Sequence, residues 1–475
     1  MHKTAFPLLL ASAGSTLAAL QVDFGSTSST KAAAKDVAFD LMSYYKGNQS
    51  GGILGLLDAP PPKGLYYWWT NAIVWSTMLD YWHYTGDDTY NAVTAEALAA
   101  QSGPGLENPF LPANWSAKAG NDDHGFWGIA AMQAAEVGLP SPPQGVASWI
   151  DLATAVFDKM AARYSAEKHC HGGLRWQLAP LSEAYYIKNT ESTAVFLNLG
   201  ARLFRYTNNE TYAEWAERSW NWLSGVGLID DEFNVYDSTN VADGCTDILG
   251  LQWSYGAGVL LQGAAYMQNH TTNSTTQQRW QARLTSLTTQ TITHFFPNST
   301  LVERACERPS KTACSWDMVF FKGIALRALA SAAQLAPSFG AANHNVTRVL
   351  RTTAEAAAKT CDGGERGRAC AFRWAGVVEG EEASEWAVGP PVEVNALAAV
   401  MGVLVGEARG LATVNETAGG QGGGEGSGSG SGSGSEGGSG DGNSEGAGNG
   451  DDGSAGASTR VGMGLVLAGL LAALL

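Results

Sequence analysis

A helical hairpin recurs along this chain, and that recurrence limits the fold more than any other feature. In each copy a helix of small and apolar residues is joined by a turn to a more amphipathic one. The apolar members are AIVWSTMLDYWHY (72–84), GIAAMQAAEVG (128–138), AVFLNLGARLFRYT (194–207), AGVLLQGAAYMQNH (257–270), KGIALRALASAAQLA (322–336) and VEVNALAAVMGVLVGEA (392–408). The first is followed by Thr85-Gly86-Asp87-Asp88 and a helix from Tyr90. The next four pair with helices in 149–164, 212–223, 278–296 and 346–360. The sixth is left to pair with KAAAKDVAFDLMSYYKG at 31–47, near the N-terminus. A helix apolar on most sides is buried on most sides, and an amphipathic one is half-exposed. Six of each describe an all-α fold, an (α/α)6 barrel closed by the N-terminal helix. An open α-solenoid binding platform is the rival. No run of alternating polarity competes.

The ends of the chain read as processing signals. Lys3, the apolar run Ala5–Leu10 and the small residues to Ala18 and Ala19 form a signal peptide, residues 1–19. A buried first helix is the other reading. Residues 20–411 then form the folded domain, and 412–456 a stalk of Gly, Ser and acidic residues with no apolar content to bury. Residues 457–475 are an apolar tail, too short to span a bilayer comfortably. Small residues, a polar spacer and an apolar end form a GPI-attachment signal. Asn449 is the expected attachment site, with Asp452 and Gly453 as alternatives. A tail-anchored helix is the rival here. These signals expect delivery to the cell surface, with membrane contact through a GPI anchor. Part of the net charge of −16 belongs to the acidic stalk, and no basic stripe suggests nucleic acid.

N-x-S/T sequons at Asn48, Asn114, Asn209, Asn269, Asn273, Asn298, Asn345 and Asn415 fit a secreted glycoprotein. Six cysteines fit an oxidising compartment. Proximity pairs Cys306 with Cys314 and Cys361 with Cys370, and elimination leaves Cys170 with Cys245. Sequence alone permits other connectivities. No C-x-x-C accompanies them, and no metal or cofactor is expected.

If the apolar helices run parallel, the segments before them share one end of the ring. Those segments are rich in aromatic and polar residues, which suit a sugar groove: rings cover the C–H faces of a pyranose and carboxylates accept from its hydroxyls. The expected substrate contacts are Tyr67, Trp68, Trp69, Asn121, Trp127, Trp176, Gln177, Asp247, Gln252, Trp253 and Tyr255. Glycoside hydrolysis needs two carboxyl groups at the scissile bond, and Asp122-Asp123 stands at the start of the second apolar helix. Asp87-Asp88 and Asp230-Asp231 are equally paired, and an acidic pair at a helix start also serves as a cap and first-turn charge. Pairing alone selects nothing.

Longer motifs separate these choices. LMSYYKGNQSG, YYWW, LDYWHYTGDDTYN, GNDDHGFWGIAAMQAAE, CHGGLRWQ, NLGARLFRYTNNETYAEWAE, GCTDILGLQWSYGAG and the stretch from Cys306 to Gly323 resemble the fungal members of glycoside hydrolase family 76. These are GPI-anchored wall mannosidase-like proteins that cross-link mannoproteins into the fungal wall. The resemblance extends over most of Gln21 to Val405. It implies an (α/α)6 barrel and a retaining mechanism, with Asp122 as nucleophile and Asp123 as general acid/base. It further implies action on α-1,6-linked mannose, in mannan or a GPI glycan, with water or β-glucan as acceptor and the protein acting as a monomer. A non-catalytic mannan-binding surface protein and a wall adhesin are the readings from other classes. The chain departs from the family pattern at Thr70, at His124-Gly125, at Glu191-Ser192-Thr193 and at Pro391-Val392-Glu393-Val394, which puts subsite specificity in question.

Overall fold

The computed structural model describes residues 19–58, 64, 66–112, 115–307, 314–337, 341–375 and 389–414, without the side chains of 341–343. The expected signal peptide up to residue 18, the stalk from 415 on, the apolar tail, and Asn114, Asn415 and Asn449 lie outside these residues. Among the described residues there are twelve α-helices: α1 (Thr27–Ser43), α2 (Trp68–Thr85), α3 (Asn91–Ser102), α4 (Asn121–Glu136), α5 (Trp149–Ala166), α6 (Thr190–Thr207), α7 (Glu210–Gly225), α8 (Ser254–His270), α9 (Ser274–Phe295), α10 (Phe321–Leu335), α11 (Ala341–Ala358) and α12 (Pro390–Gly402).

The even-numbered helices form the inner ring. Each packs on the next, from α2 through α4, α6, α8 and α10 to α12, and α12 returns to α2. The odd-numbered helices lie outside, and α1 packs on α12, which closes the hairpin left open at the chain's two ends. Sequence patterning explains the division. In α4 every residue except Asp123 is buried, whereas α5 buries Leu152, Val156, Phe157, Met160 and Tyr164 along one stripe. Small residues let the inner helices approach: a Cβ at Gly128 would lie 2.6 Å from Val156 Cγ1 and 3.1 Å from Leu199 Cδ2. Asparagine and serine caps start several helices, with Ser148 accepting from the Asp151 amide and Asn273 from that of Thr276.

The inner helices begin at one end of the ring and finish at the other. Their middle and C-terminal turns carry a largely buried polar network. Arg327 pairs with Asp80 and donates to Gln133, and Arg202 Nε donates to Glu136 Oε2 at 3.0 Å. At a rise of about 1.5 Å per residue this network lies about 20 Å along α4 from Asp122, so it fills the end opposite the aspartates.

A small antiparallel sheet is a departure from the all-helical expectation. Strands β1 (Ile187–Asn189), β2 (Ser238–Asn240) and β3 (Ile248–Leu249) pair in that order, with Lys188 opposite Thr239 and Thr239 opposite Ile248. Strands of two or three residues are too short to show an alternating pattern. Disulfides join Cys170 to Cys245, Cys306 to Cys314 and Cys361 to Cys370. The first fastens the loop before β1 to the β2–β3 connection. Asn48, Asn209, Asn269, Asn273, Asn298 and Asn345 are all exposed.

Candidate active site

The start of α4 is held by a short strand-like pairing. The Asn121 amide donates to the Trp176 carbonyl at 2.7 Å, the Leu178 amide to the Ala119 carbonyl at 3.0 Å, and Asn121 Nδ2 to the Arg175 carbonyl at 2.8 Å. Gly120 must be glycine here, because a Cβ would lie 2.1 Å from Asp122 Oδ1 and 3.1 Å from Trp176 Cδ1. These contacts deliver Asp122 and Asp123 together to the ring's open end.

The two carboxyl groups differ in surroundings. Asp122 is buried, and both its oxygens accept: Oδ1 from the Asp123 amide at 3.0 Å and Oδ2 from Asn189 Nδ2 at 2.7 Å. Asp123 is half-buried. Its Oδ2 accepts from the Gly120 amide at 2.8 Å, which is also a helix-capping contact. Burial pushes Asp122 up to about 6 against the pull of Asn189 and the backbone amides. Burial and then the charge of Asp122 push Asp123 well above the ordinary carboxylate range, with Asp317 adding to it. The two carboxyl groups therefore titrate as a coupled pair, in which ionisation of one holds the proton on the other.

Three more acids face this pair. Glu191, at the start of α6, is raised by burial, then by Asp237 and Asp122. Asp237, just before β2, is raised by burial and accepts from Trp253 Nε1 at 2.7 Å. Asp317, before α10, is raised by burial and bonded to Ser315. Burial also raises the Tyr67 phenol, followed by Asp317 and Asp123, so that ring borders the same acids.

Stacked rings lie beside the acids, Trp69 and Tyr255 partly exposed and Phe126, Phe321 and Trp253 buried behind them. Trp69 stacks on Phe126 with centroids 5.3 Å apart, Phe126 on Tyr255 at 6.4 Å, and Tyr255 on Phe321 at 3.8 Å. Trp253 meets Phe321 edge-on at 5.4 Å. Trp176 is half-buried against Gly120, and Gln177 bridges to Gly120. Gln252 is half-buried beside Trp253.

Several expected contacts stand elsewhere. Trp68 is 3% exposed and Trp127 fully buried; they stack on each other at 5.4 Å, with Trp115 and Phe110 beyond them. Both are core residues; neighbours on a helix point about 100° apart, so Trp69 stays partly exposed, while Phe126, 4% exposed, is buried against it. Asn121 is buried and spends its side chain on the Arg175 carbonyl. Asp247 is exposed on the β2–β3 connection and contributes its backbone carbonyl to Thr239, while Asp237 of the same hairpin reaches the acids instead.

The departures from the family pattern separate in the same way. Thr70 is buried and donates to the Tyr67 carbonyl at 2.7 Å. His124 is buried between the Pro109 carbonyl at Nε2 and Arg163 at Nδ1, and burial followed by Arg163 drives it down to about 3, so it stays neutral. Gly125 meets α6 at Val195. Thr193 accepts from the Leu174 amide, Ser192 is buried, and Glu393 turns toward Cys370 and Asp40. Glu191 alone among them couples to Asp122 and Asp237. Asn189, Asp237, Phe126 and Phe321 are not among the expected contacts, and Glu191 is expected only as a departure from the family pattern near the groove. Asn189 and Glu191 lie at the start of an inner helix, which is a usable signal. Asp237 reaches the site only through strand pairing.

Residues 29–415 match the sequence profile of glycosyl hydrolase family 76. The chain belongs to this family. It is 40% identical over 357 residues to a mannan endo-1,6-α-mannosidase, DCW1, of Candida glabrata, covering 75% of this chain and 76% of that protein. The DCW1 mannosidase of Saccharomyces cerevisiae is 39% identical over 358 residues, covering 75% and 76%. The crystal structure of Dfg5 from Chaetomium thermophilum in complex with glucosamine superposes with a TM-score of 0.77 at 42% identity, covering 83% of this chain and 94% of that one. This family 76 protein is thus a glycoside hydrolase with the (α/α)6 barrel that its hairpin repeat predicts.

Proposed function

We propose that this protein is a retaining glycosidase or transglycosidase acting on α-1,6-linked mannose at the fungal cell surface. Asp122 attacks the anomeric carbon to form a mannosyl-enzyme, and Asp123 protonates the leaving oxygen and then activates the acceptor. The observation that carries this division is the unequal bonding of the pair. Both oxygens of Asp122 receive N–H donors, as suits a carboxylate, while Asp123 spends one oxygen on Gly120 and has the higher proton affinity. Mannan or the glycan of a GPI-anchored protein is the donor, and water or β-glucan the acceptor. The mature chain is a monomer held by a GPI anchor at its C-terminal end, and its exposed sequons carry N-glycans.

The decisive test is incubation of soluble 20–411 protein with α-1,6-mannooligosaccharides, with and without a β-glucan acceptor. Turnover with retained anomeric configuration is expected, with glucan-linked product where transfer occurs. Binding without turnover would favour the non-catalytic mannan-binding reading. The capping bond of Asp123 to Gly120 is the observation on that side.

A further inference from the structure

Glu191 lies second in α6, two residues after the Asn189 that bonds Asp122, and is 2% exposed. Its carboxyl reaches across to α8. Oε1 lies 2.4 Å from where a Cβ at Gly256 would be, and the Tyr255 phenol is within hydrogen-bonding reach of the carboxyl. Tyr255 in turn has its ring flat on Phe321 and next to Phe126 in the groove wall. A side chain larger than hydrogen at position 256 would push Glu191 out of this place.

We propose that Glu191 is a positioning residue: it anchors the Tyr255 ring in the sugar-binding wall beside Asp122. The charged and titratable groups facing it are Asp122 on α4, Asp237 before β2 and Tyr255 on α8; Asp123 and Asp317 lie beyond them. All are acidic. A proton on Glu191 removes repulsion against the carboxylate that Asp122 must become, and leaves the carboxyl able to exchange a hydrogen bond with the phenol. Burial and these acids hold Glu191 well above the usual carboxylate range, which agrees with the neutral form. The inference rests on the sugar-binding reading above for its substrate, but the anchoring itself does not.

The test compares Glu191→Gln, Glu191→Ala, Tyr255→Phe and the Ala/Phe double variant. Glu191→Gln keeps shape, neutrality and hydrogen bonding, and should hold kcat/KM for α-1,6-mannotriose within about 3-fold at mildly acidic pH. Glu191→Ala and Tyr255→Phe should each raise KM about 10-fold, as expected for one lost hydrogen bond, with kcat changed less. The double variant should be no worse than the worse single one. A crystal structure of Glu191→Ala without substrate should show the Tyr255 ring displaced from Phe321. An additive double variant, a Gln variant as impaired as Ala, or a Tyr255 ring unmoved in that crystal overturns the proposal. Wild-type protein that neither binds nor cleaves mannotriose sinks the substrate reading instead, and the crystal still decides the anchoring.

Discussion

Asn189 bonds Asp122 with one end of its amide and caps α6 with the other: Nδ2 donates to Asp122 Oδ2 at 2.7 Å while Oδ1 accepts from the Ser192 amide at 3.4 Å. The start of one inner helix thereby orients the acid at the start of the next. Asn189→Ala should lose about 0.5–2 kcal/mol of stability as a lost cap and cut kcat at least 10-fold by freeing Asp122. Asn189→Asp keeps the cap but sets a carboxylate against Asp122, so melting should change little while activity falls further. Melting curves and turnover on both variants check this; equal activity in the two would refute it.

Asp122→Asn and Asp123→Asn should each remove most turnover with the fold intact. Loss of general acid/base help costs about 10²–10⁴-fold, and loss of the nucleophile at least as much. A substrate with a good leaving group needs little protonation, so it should partly rescue intermediate formation in Asp123→Asn only. Rescue of Asp122→Asn instead would exchange the two roles. Near-normal turnover in Asp123→Asn, with only a cap-sized loss of stability, would return that residue to a structural part.

Two tryptophans near the site should respond differently. Trp69, half-buried on Phe126, belongs to the groove wall, and Trp69→Ala should weaken mannotriose binding with a modest change in melting. Trp127 is fully buried, and Trp127→Ala should cost about 3–5 kcal/mol. Calorimetric titration and denaturant unfolding separate the effects. A stability loss for Trp69→Ala as large as that for Trp127→Ala would contradict this.

Activity and stability should depend on pH for different reasons. Turnover should rise as Asp122 ionises near about 6 and fall when Asp123 loses its proton at higher pH. Glu303 and Glu393 are raised by burial to about 8. Each is raised above its unfolded value, so its contribution to stability is full below the unfolded value and is lost as pH rises through about 8. His124 acts oppositely: held down near 3, it contributes above its unfolded value and loses this as pH falls toward 3. The melting temperature should therefore decline between about pH 6.5 and 8.5, and Glu393→Gln should flatten the decline. A melting temperature that rises over this range would show the sign to be wrong.

The C-terminal signal makes a separate claim. Phosphatidylinositol-specific phospholipase should release the protein from intact cells, and the tail from about residue 457 should be absent by mass spectrometry. Membrane retention with the tail still present would rule out the anchor.

By itself the sequence determined the ring of helical hairpins and the two short-range disulfides, Cys306–Cys314 and Cys361–Cys370. Each rests on information local in the chain: burial pattern over a helix and short cysteine spacing. The tertiary structure decided which ring of an adjacent aromatic pair meets the groove. Trp68 and Trp69 have similar chemistry, but a rotation of about 100° per residue sends Trp68 into the core and leaves Trp69 partly exposed, and helix packing sets which. It also decided the remaining acids. Asp247 and Asp237 flank the same hairpin, and only the pairing of Ser238 with Leu249 and of Asn189 with Ser238 turns Asp237 toward Asp122 and leaves Asp247 in solvent. Strand register joins residues some fifty positions apart, and three-residue strands leave too little pattern for a sequence to reveal it.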